Sequence, residues 1–269
     1  MARLVLFDVD GTLIRTGGAG MRAFAKVFAT EFNAADGFER LKFGGRTDLS
    51  LIREFFGFHH IPFTPENLQR FFGPYEFWLE QFLRQGGVQV CSGVWEFIHG
   101  LQALPRPPLL GLLTGNIRRG AEIKLRRVHL WETFVTGAFA DDSEERAQIA
   151  AIARRRGGEL LGEELRDDQV LVIGDTPRDI LCARAIGAKV LAVATGVCSL
   201  DELKSHQPDW AVSDLGQVSP SMVVAASAAA TPAGAAVDPA SGPFVPTAGL
   251  SSAPAGGRGE DGQLLGQPH

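Results

Sequence analysis

The sequence predicts an α/β protein with a doubly wound parallel sheet, an all-helical domain inserted after the first strand, and a C-terminal tail without stable structure. Short, continuously apolar segments alternate with helical segments along most of the chain, which is typical of buried parallel strands with helices on both faces. A phenylalanine-rich helical stretch interrupts this alternation early, and a change of composition ends it near Pro220. With 269 residues, the chain is long enough for one large domain or two smaller ones.

The first predicted strand is an apolar run that begins at Leu4 and ends in two carboxylates, Asp8 and Asp10. Because side chains alternate along a strand, these two acids would lie on the same side. Neighbouring acids at the end of a buried strand repel each other, which raises the pKa of one or requires a cation between them. Gly11 follows and is also typical of an ordinary acidic turn, so this segment alone leaves both interpretations open.

Residues 16–87 are predicted to form a small all-helical domain. Apolar residues recur at spacings of three and four between Met21 and Phe32, as in an amphipathic helix. A second helix follows the glycine-rich loop at 44–48, and a third begins at Thr64, whose successor is a proline. The alternation of strands and helices resumes only after this stretch, which is the reason for treating it as a separate domain.

The α/β core is predicted to comprise residues 1–15 and 88–218. Beyond Ser92, apolar strands and helices of ordinary length alternate, which favours a sheet covered on both faces. The predicted strands are Leu109–Leu113, Val135–Phe139, Val170–Ile173, Val190–Ala194 and Asp209–Val212, and the predicted helices are 94–104, 117–128, 144–156, 178–186 and one that starts at Ser199.

Residues 219–269 are predicted to be disordered. Alanine, proline, glycine and serine dominate this segment, and it has few charged residues. It also lacks the large apolar side chains that would offset the entropy lost on ordering. We assign it no chemistry.

Bulk composition excludes several classes of protein. A net charge of −5 gives no basic footprint, so neither nucleic acid nor an anionic membrane is an expected partner. The three cysteines form no CxxC pair, which argues against a disulfide framework and a structural zinc site. Asp8 and Asp10 interrupt the N-terminal apolar run too early for a signal peptide, and no stretch approaches the roughly 20 apolar residues of a membrane helix. We therefore expect a cytoplasmic protein.

Polar segments follow three of the predicted strands. In an open parallel sheet, ligands bind outside the carboxyl ends of the strands, near a point where the strand order reverses. Each segment alone could be a turn or a helix start, but the three together are harder to explain in that way. Four carboxylates at one edge would need a cation, and an oxygen donor set suits Mg²⁺. The segments are Asp8 with Asp10, Thr114-Gly115-Asn116, and Gly174-Asp175-Thr176-Pro177-Arg178-Asp179.

These segments resemble the four motifs of the haloacid dehalogenase-like hydrolase superfamily. The resemblance rests on Asp8-Val-Asp10-Gly11-Thr12, on Thr114 after a strand, on a basic residue further on, and on Gly174-Asp175 with Asp179. It covers roughly residues 3–215 and implies a Rossmann-like core. The helical insert is similar to the cap of the branch that contains phosphoglycolate phosphatase and β-phosphoglucomutase.

The resemblance implies a Mg²⁺-dependent phosphomonoesterase that acts on a small phosphorylated metabolite through an aspartyl-phosphate. Asp8 would be the nucleophile and Asp10 the general acid and base. Thr114, Gly115 and Asn116 would bind the phosphoryl group. Mg²⁺ would be held by Asp8, Asp10 (through its backbone carbonyl), Asp175 and Asp179.

Two basic residues are candidates for the third motif, which is usually a lysine in this superfamily. Arg146 lies at the expected spacing and would supply a permanent charge, although arginine is not equivalent to lysine. Lys124 is the reserve candidate, interpreted as a surface lysine on its helix. Arg46, in the glycine-rich loop of the cap, is expected to contact substrate.

The same motifs also allow two alternative functions. A phosphomutase would keep both acids and the cap. A phosphate-binding regulatory module with impaired catalysis would explain the arginine at the lysine position. A dehalogenase is disfavoured because the enzymes of that name do not carry the second acid, here Asp10.

Overall fold

A computed structural model describes residues 1–226 of the chain, and the account below is confined to them. Their main sheet contains six parallel strands in the order β5-β4-β1-β6-β7-β8, which confirms the predicted fold class. The strands are β1 Leu4–Phe7, β2 Ile14–Arg15, β3 Gln89–Val90, β4 Leu109–Leu113, β5 Thr136–Ala138, β6 Val170–Gly174, β7 Lys189–Val193 and β8 Trp210–Val212.

Helices cover both faces of this sheet. Val5 and Phe7 of β1 enter one apolar cluster, and Leu4 and Leu6 enter another, as expected for a strand buried on both sides. Within residues 1–226, no helix combines the length and the apolar character needed to cross a membrane. The helices are α1 Ala19–Glu31, α2 Asp48–Phe58, α3 Pro65–Gly86, α4 Val94–Gln102, α5 Arg118–Arg126, α6 Arg146–Leu161, α7 Pro177–Ala185, α8 Leu200–Ser205 and α9 Pro220–Ala226.

Helix α6 runs further than the sequence predicts. The expected end at Arg156 reflects the glycine pair that follows it, yet the helix continues through Gly157 and Gly158 to Leu161. Both glycines are buried, and a Cβ on Gly157 would lie 2.5 Å from Cδ2 of Leu4. Close packing on β1 therefore outweighs the weak helix propensity of glycine.

The predicted insert consists of α1, α2 and α3, joined through an aromatic cluster. The rings of Phe28 and Phe55 stack with centroids 3.7 Å apart, which ties α1 to α2. Thr47 and Thr64 cap α2 and α3 by accepting backbone N–H groups of residues three positions on, at 3.3 Å each. All described residues belong to one compact unit, so a separate domain at 16–87 stays a prediction.

Strands β2 and β3 were not predicted. They form a two-stranded antiparallel ribbon in which Ile14 pairs with Val90 and Arg15 with Gln89. Two residues per strand are too few for an alternating pattern to be visible in the sequence. The ribbon joins the two points at which the chain leaves the core and returns to it.

Helix α9 corrects the predicted start of the tail. Val223 and Val224 are fully buried against the core, and the backbone N–H of Ala2 donates to the carbonyl of Val224 at 3.0 Å. Disorder beginning at residue 219 is therefore wrong for Pro220–Ala226, because two adjacent valines supply the apolar surface that the rest of the segment lacks. The remainder of the predicted tail, 227–269, lies outside the described residues.

Two truncated chains should differ in stability. A chain that ends at Val218 should have a free energy of unfolding about 3 kcal/mol lower than one that ends at Ala226, because it loses two buried valine side chains. Urea unfolding of the two chains measures this difference. Equal midpoints would show that α9 contributes nothing to the core.

Candidate active site

The central strand of the sheet carries Asp8 to its carboxyl edge. Phe7 pairs with Leu112 of β4 on one side and with Ile173 of β6 on the other, so the segments that follow these three strands lie level with one another. After β1 the chain adds β4 and β5 on one side of β1, and it later adds β6, β7 and β8 on the other side. The strand order therefore reverses at β1. Asp8 thus lies at the topological switch point, where open α/β sheets bind ligands.

Three buried carboxylates meet at this edge. Asp8, Asp175 and Asp179 each offer an oxygen, and these oxygens lie within 4.8 Å of one another. The hydroxyl of Thr12 donates to Oδ1 of Asp175 at 3.0 Å and fixes that side chain. Burial raises the pKa of Asp8 to about 6, and burial together with the neighbouring carboxylates raises the pKa of Asp175 well above its usual value.

This cluster fits a divalent cation. Its donors are all carboxylate oxygens, which suit a hard cation such as Mg²⁺. Asp179 is already engaged, because Oδ2 accepts from the backbone and the hydroxyl of Thr176 at 3.0 and 2.7 Å. Asp8 and Asp175 are therefore the freer ligands. The carboxylate of Asp10 is not part of this cluster.

Arg146, the first residue of α6, points into the acidic cluster. Its guanidinium donates to Asp179 and lies 3.2 Å from Oδ1 of Asp8. Burial opposes the charge, but Asp179 and Asp8 raise the pKa of this arginine well above its ordinary value. Its Nε is buried and has no hydrogen-bond partner among the described residues. Arg146 thus places a buried cation in contact with Asp8.

Lys124 is not a surface residue, and this part of the sequence interpretation is wrong. Its side chain is 4% exposed, and Nζ donates to Oδ2 of Asp10 at 2.6 Å and to Oδ1 of Asn116 at 2.5 Å. The signal was present in the sequence, since Lys124 follows Ile117 and Ala121 at helical spacing and shares their buried face. Each basic candidate therefore holds a different acid.

The segment after β4 forms a polar loop beside Asp10. The amide of Asn116 donates to Oδ2 of Asp10 and to the hydroxyl of Thr114, both at 2.8 Å. A Cβ on Gly115 would lie 2.2 Å from the carbonyl oxygen of Arg46, so only glycine permits this approach. The loop 44–48 of the insert is consequently packed directly onto the predicted phosphate-binding segment.

Asp48 joins the insert to the core. Its backbone N–H donates to the carbonyl of Gly115 at 2.7 Å, and its carboxylate accepts from the backbone N–H of Ile117 at 2.8 Å. The carboxylate thereby satisfies a free N–H at the start of α5. No local pattern predicts this contact, because Asp48 and Ile117 are 69 positions apart in the sequence.

Arg46 lines the cavity that contains Asp8, but its guanidinium is engaged within the insert. It forms an ion pair with Glu54 and donates to the hydroxyl and the carbonyl of Ser50 at 3.3 and 3.0 Å. Contact between Arg46 and substrate stays a prediction, and in this conformation it would require these bonds to break.

The stability difference between wild type and Asp48→Asn should depend on pH. Burial raises the pKa of Asp48 to about 7; Lys124 lowers it, and Asp10 and Asp141 raise it. The folded state therefore binds the extra proton between about pH 4 and pH 7, and wild-type stability falls as pH rises through this window. The asparagine can still accept from Ile117 but does not titrate. In urea unfolding, the free energy of unfolding of Asp48→Asn should rise relative to that of wild type by up to about 1.4 kcal/mol for each unit of increasing pH. A stability difference that does not change with pH would contradict this.

A cavity of about 420 Å³ contains this site. Asp8, Asp10 and Thr114 line it from the core, together with Lys124 and Arg146. Side chains of the insert line the remainder. The space is large enough for a phosphoryl group and a small organic portion.

Comparison with known proteins finds relatives of this chain by sequence and by structure. A sequence profile described as haloacid dehalogenase-like hydrolase matches residues 5–193. The chain is 26% identical over 223 residues to a protein named "Probable phosphatase IndB" from Dickeya dadantii, covering 81% of this chain and 92% of that protein. It is 28% identical over 124 residues to the phosphoglycolate phosphatase of Synechococcus elongatus, covering 46% of this chain and 54% of that protein.

Solved structures show the same fold. The crystal structure of a predicted phosphoglycolate phosphatase from Haemophilus somnus superposes with a TM-score of 0.63 at 18% sequence identity, covering 80% of this chain and 96% of that one. A hydrolase of the same superfamily from Entamoeba histolytica gives a TM-score of 0.64 at 18% identity, covering 84% and 99% of the two chains.

Proposed function

The chain belongs to the haloacid dehalogenase-like hydrolase family, and on that premise we propose that it is a Mg²⁺-dependent phosphomonoesterase acting on a small phosphorylated metabolite. The observation that carries the proposal is the position of Asp8, beside the buried Asp175 and Asp179 and in contact with Arg146. Phosphatase names among the relatives support the same reaction class.

In the proposed reaction, a carboxylate oxygen of Asp8 forms a bond to phosphorus, and the bond from phosphorus to the alcohol oxygen breaks. Asp10 would carry a proton on Oδ1, since Lys124 and Asn116 both donate to Oδ2, and it gives this proton to the departing alcohol. It then takes a proton from the water that attacks the phosphorus of the aspartyl-phosphate, and the bond from phosphorus to Asp8 breaks. Inorganic phosphate leaves and Asp8 is restored. Thr114 and Gly115 donate hydrogen bonds to the phosphoryl oxygens throughout.

Charge balance in the site falls to Arg146 and a divalent cation. Asp8, Asp175 and the carbonyl of Asp10 would hold Mg²⁺, with Asp179 assisting mainly by anchoring Arg146. When bound, the cation supplies positive charge that offsets that of the phosphoryl group. Lys124 holds the carboxylate of Asp10 on the opposite side.

The three free thiols support a reducing location, which is the reason for proposing the cytoplasm.

Phosphate release from p-nitrophenyl phosphate tests the proposal. We expect turnover that requires Mg²⁺ and stops with EDTA. Acid quenching during turnover of a radiolabelled monoester should leave a hydroxylamine-labile label on the protein, as an acyl phosphate would. A folded protein that releases no phosphate from any monoester would exclude the phosphomonoesterase, and a labelled protein without phosphate release would favour the phosphomutase instead.

A further inference from the structure

The cavity that contains Asp8 has two chemically different ends. Its core end presents the charged groups described above. Its other end, formed by the insert and by the loop after β7, is lined by large apolar side chains. They are Met21, Phe24, Phe43, Leu51, Tyr75 and Val197.

Three of these side chains form an aromatic cluster, in which Phe43 is the accessible ring because Phe24 and Tyr75 are each only 1% exposed. The ring of Phe24 meets that of Phe43 at 5.8 Å and that of Tyr75 at 5.0 Å, both edge to face. At the rim, Met21 is 45% exposed and Val197 is 84% exposed. Large apolar side chains left in contact with solvent at the edge of a cavity mark a surface suited to an apolar ligand.

The cations inside the cavity already have partners. Arg146 is paired with Asp8 and Asp179, Lys124 with Asp10, and Arg46 with Glu54. Among the described residues, therefore, no unpaired interior cation of this cavity remains for a second anionic group of a substrate.

Two further charged residues line the cavity, one acidic and one basic. Asp48 adds a carboxylate to the lining of the insert end. Arg15 lies exposed at the rim and donates through Nε to the carbonyl of Thr195 at 2.7 Å. Arg15 is exposed to solvent, so an anionic group held deeper in the cavity would lie among apolar side chains without an unpaired interior cation, which is unfavourable.

We propose that the substrate is a phosphate monoester whose alcohol portion is uncharged and largely apolar, packed against Phe43 and the exposed apolar residues Met21 and Val197. This rests on the proposed phosphomonoesterase function and adds the substrate class. It disfavours glycolate-like or diphosphate-like substrates, in which the departing group carries its own negative charge.

A matched pair of synthetic substrates tests the substrate class. Benzyl phosphate and 4-carboxybenzyl phosphate have alcohols of similar basicity and differ chiefly in one negative charge far from phosphorus. We expect kcat/KM for benzyl phosphate to be at least about tenfold higher, mainly through KM, since the difference lies in binding of the organic portion. 2-Phosphoglycolate should be a poorer substrate still.

A matched pair of variants locates the effect. Met21→Arg places a cation at the rim. It should lower the ratio of kcat/KM for benzyl phosphate to kcat/KM for 4-carboxybenzyl phosphate at least about threefold, because the variant uses the carboxylated ester better. Met222→Arg, on α9, makes the same change at a methionine of similar exposure, 50% against 45%, and should leave the preference unchanged. Equal effects of the two variants would overturn the assignment of the apolar end as the subsite.

The outcomes separate this inference from the function on which it rests. Equal or better use of 4-carboxybenzyl phosphate or 2-phosphoglycolate by the wild type would overturn the substrate class while leaving the phosphomonoesterase intact. Absence of phosphate release from every ester, p-nitrophenyl phosphate included, would overturn both.

Discussion

Replacing Asp8 with asparagine should lower phosphate release by about 10⁴-fold or more, because the amide cannot form the bond to phosphorus that the carboxylate forms. Asparagine has nearly the same size and fits the same buried site, so packing should be retained. The measurement is kcat with p-nitrophenyl phosphate and Mg²⁺, with circular dichroism to verify the fold. The label on acid-quenched protein should disappear together with turnover.

Asp36→Asn is the matched control for this substitution. Its carboxylate is 93% exposed, lies in the insert, and is outside the site, so turnover should stay at the wild-type level. A folded Asp8→Asn protein within tenfold of wild-type activity would remove Asp8 from the role of nucleophile.

Arg146→Ala should combine the second largest loss of activity with a loss of stability. The change removes the cation that contacts Asp8 and leaves Asp179 buried without its charged partner. Breaking a buried ion pair in this way costs about 3–5 kcal/mol of folding stability. Loss of a positioned donor at a developing charge lowers kcat by about 10²–10³-fold. Steady-state kinetics and urea unfolding measure the two effects.

Two further variants separate the charge of Arg146 from its place on α6. Arg146→Lys keeps the positive charge and should recover at least about tenfold of the lost activity. Arg155→Ala removes an exposed arginine of the same helix that pairs only with Glu159 among the contacts described, and should change neither quantity by much. Full activity in Arg146→Ala would return the third-motif role to Lys124.

The sheet and its polar edge were predictable because each rests on a local pattern. β1, β4 and β6 are continuous apolar runs, and each is followed at once by polar residues. Parallel strands align their carboxyl ends, so the meeting of Asp8, Thr114 and Asp175 follows from strand assignment alone. Shifts of a few residues at the helix ends do not affect this conclusion.

Contacts between residues distant in sequence were not predictable in the same way. Asp48 satisfies an N–H of the core 69 positions away, and no local pattern signals that pairing. Lys124 looked exposed because lysine is seldom fully buried unless paired, and its partner Asp10 lies 114 positions away. The packing of α9 on the core was not predicted, because a composition argument averages over a long segment and overlooks two adjacent valines.

The ribbon of β2 and β3 brings the two ends of the insert together. Paired residues of an antiparallel ribbon lie about 4.5–5.5 Å apart at Cα, so the chain returns to the core at Val90 almost where it left at Ile14. A short turn would bridge that gap as well as three helices do, and domains whose ends lie close together tolerate exchange. Asp8, Thr114, Arg146 and Asp175 all belong to the core side of this junction. Evolution could therefore exchange the insert, and with it the apolar end of the cavity, without changing the residues proposed to carry the reaction.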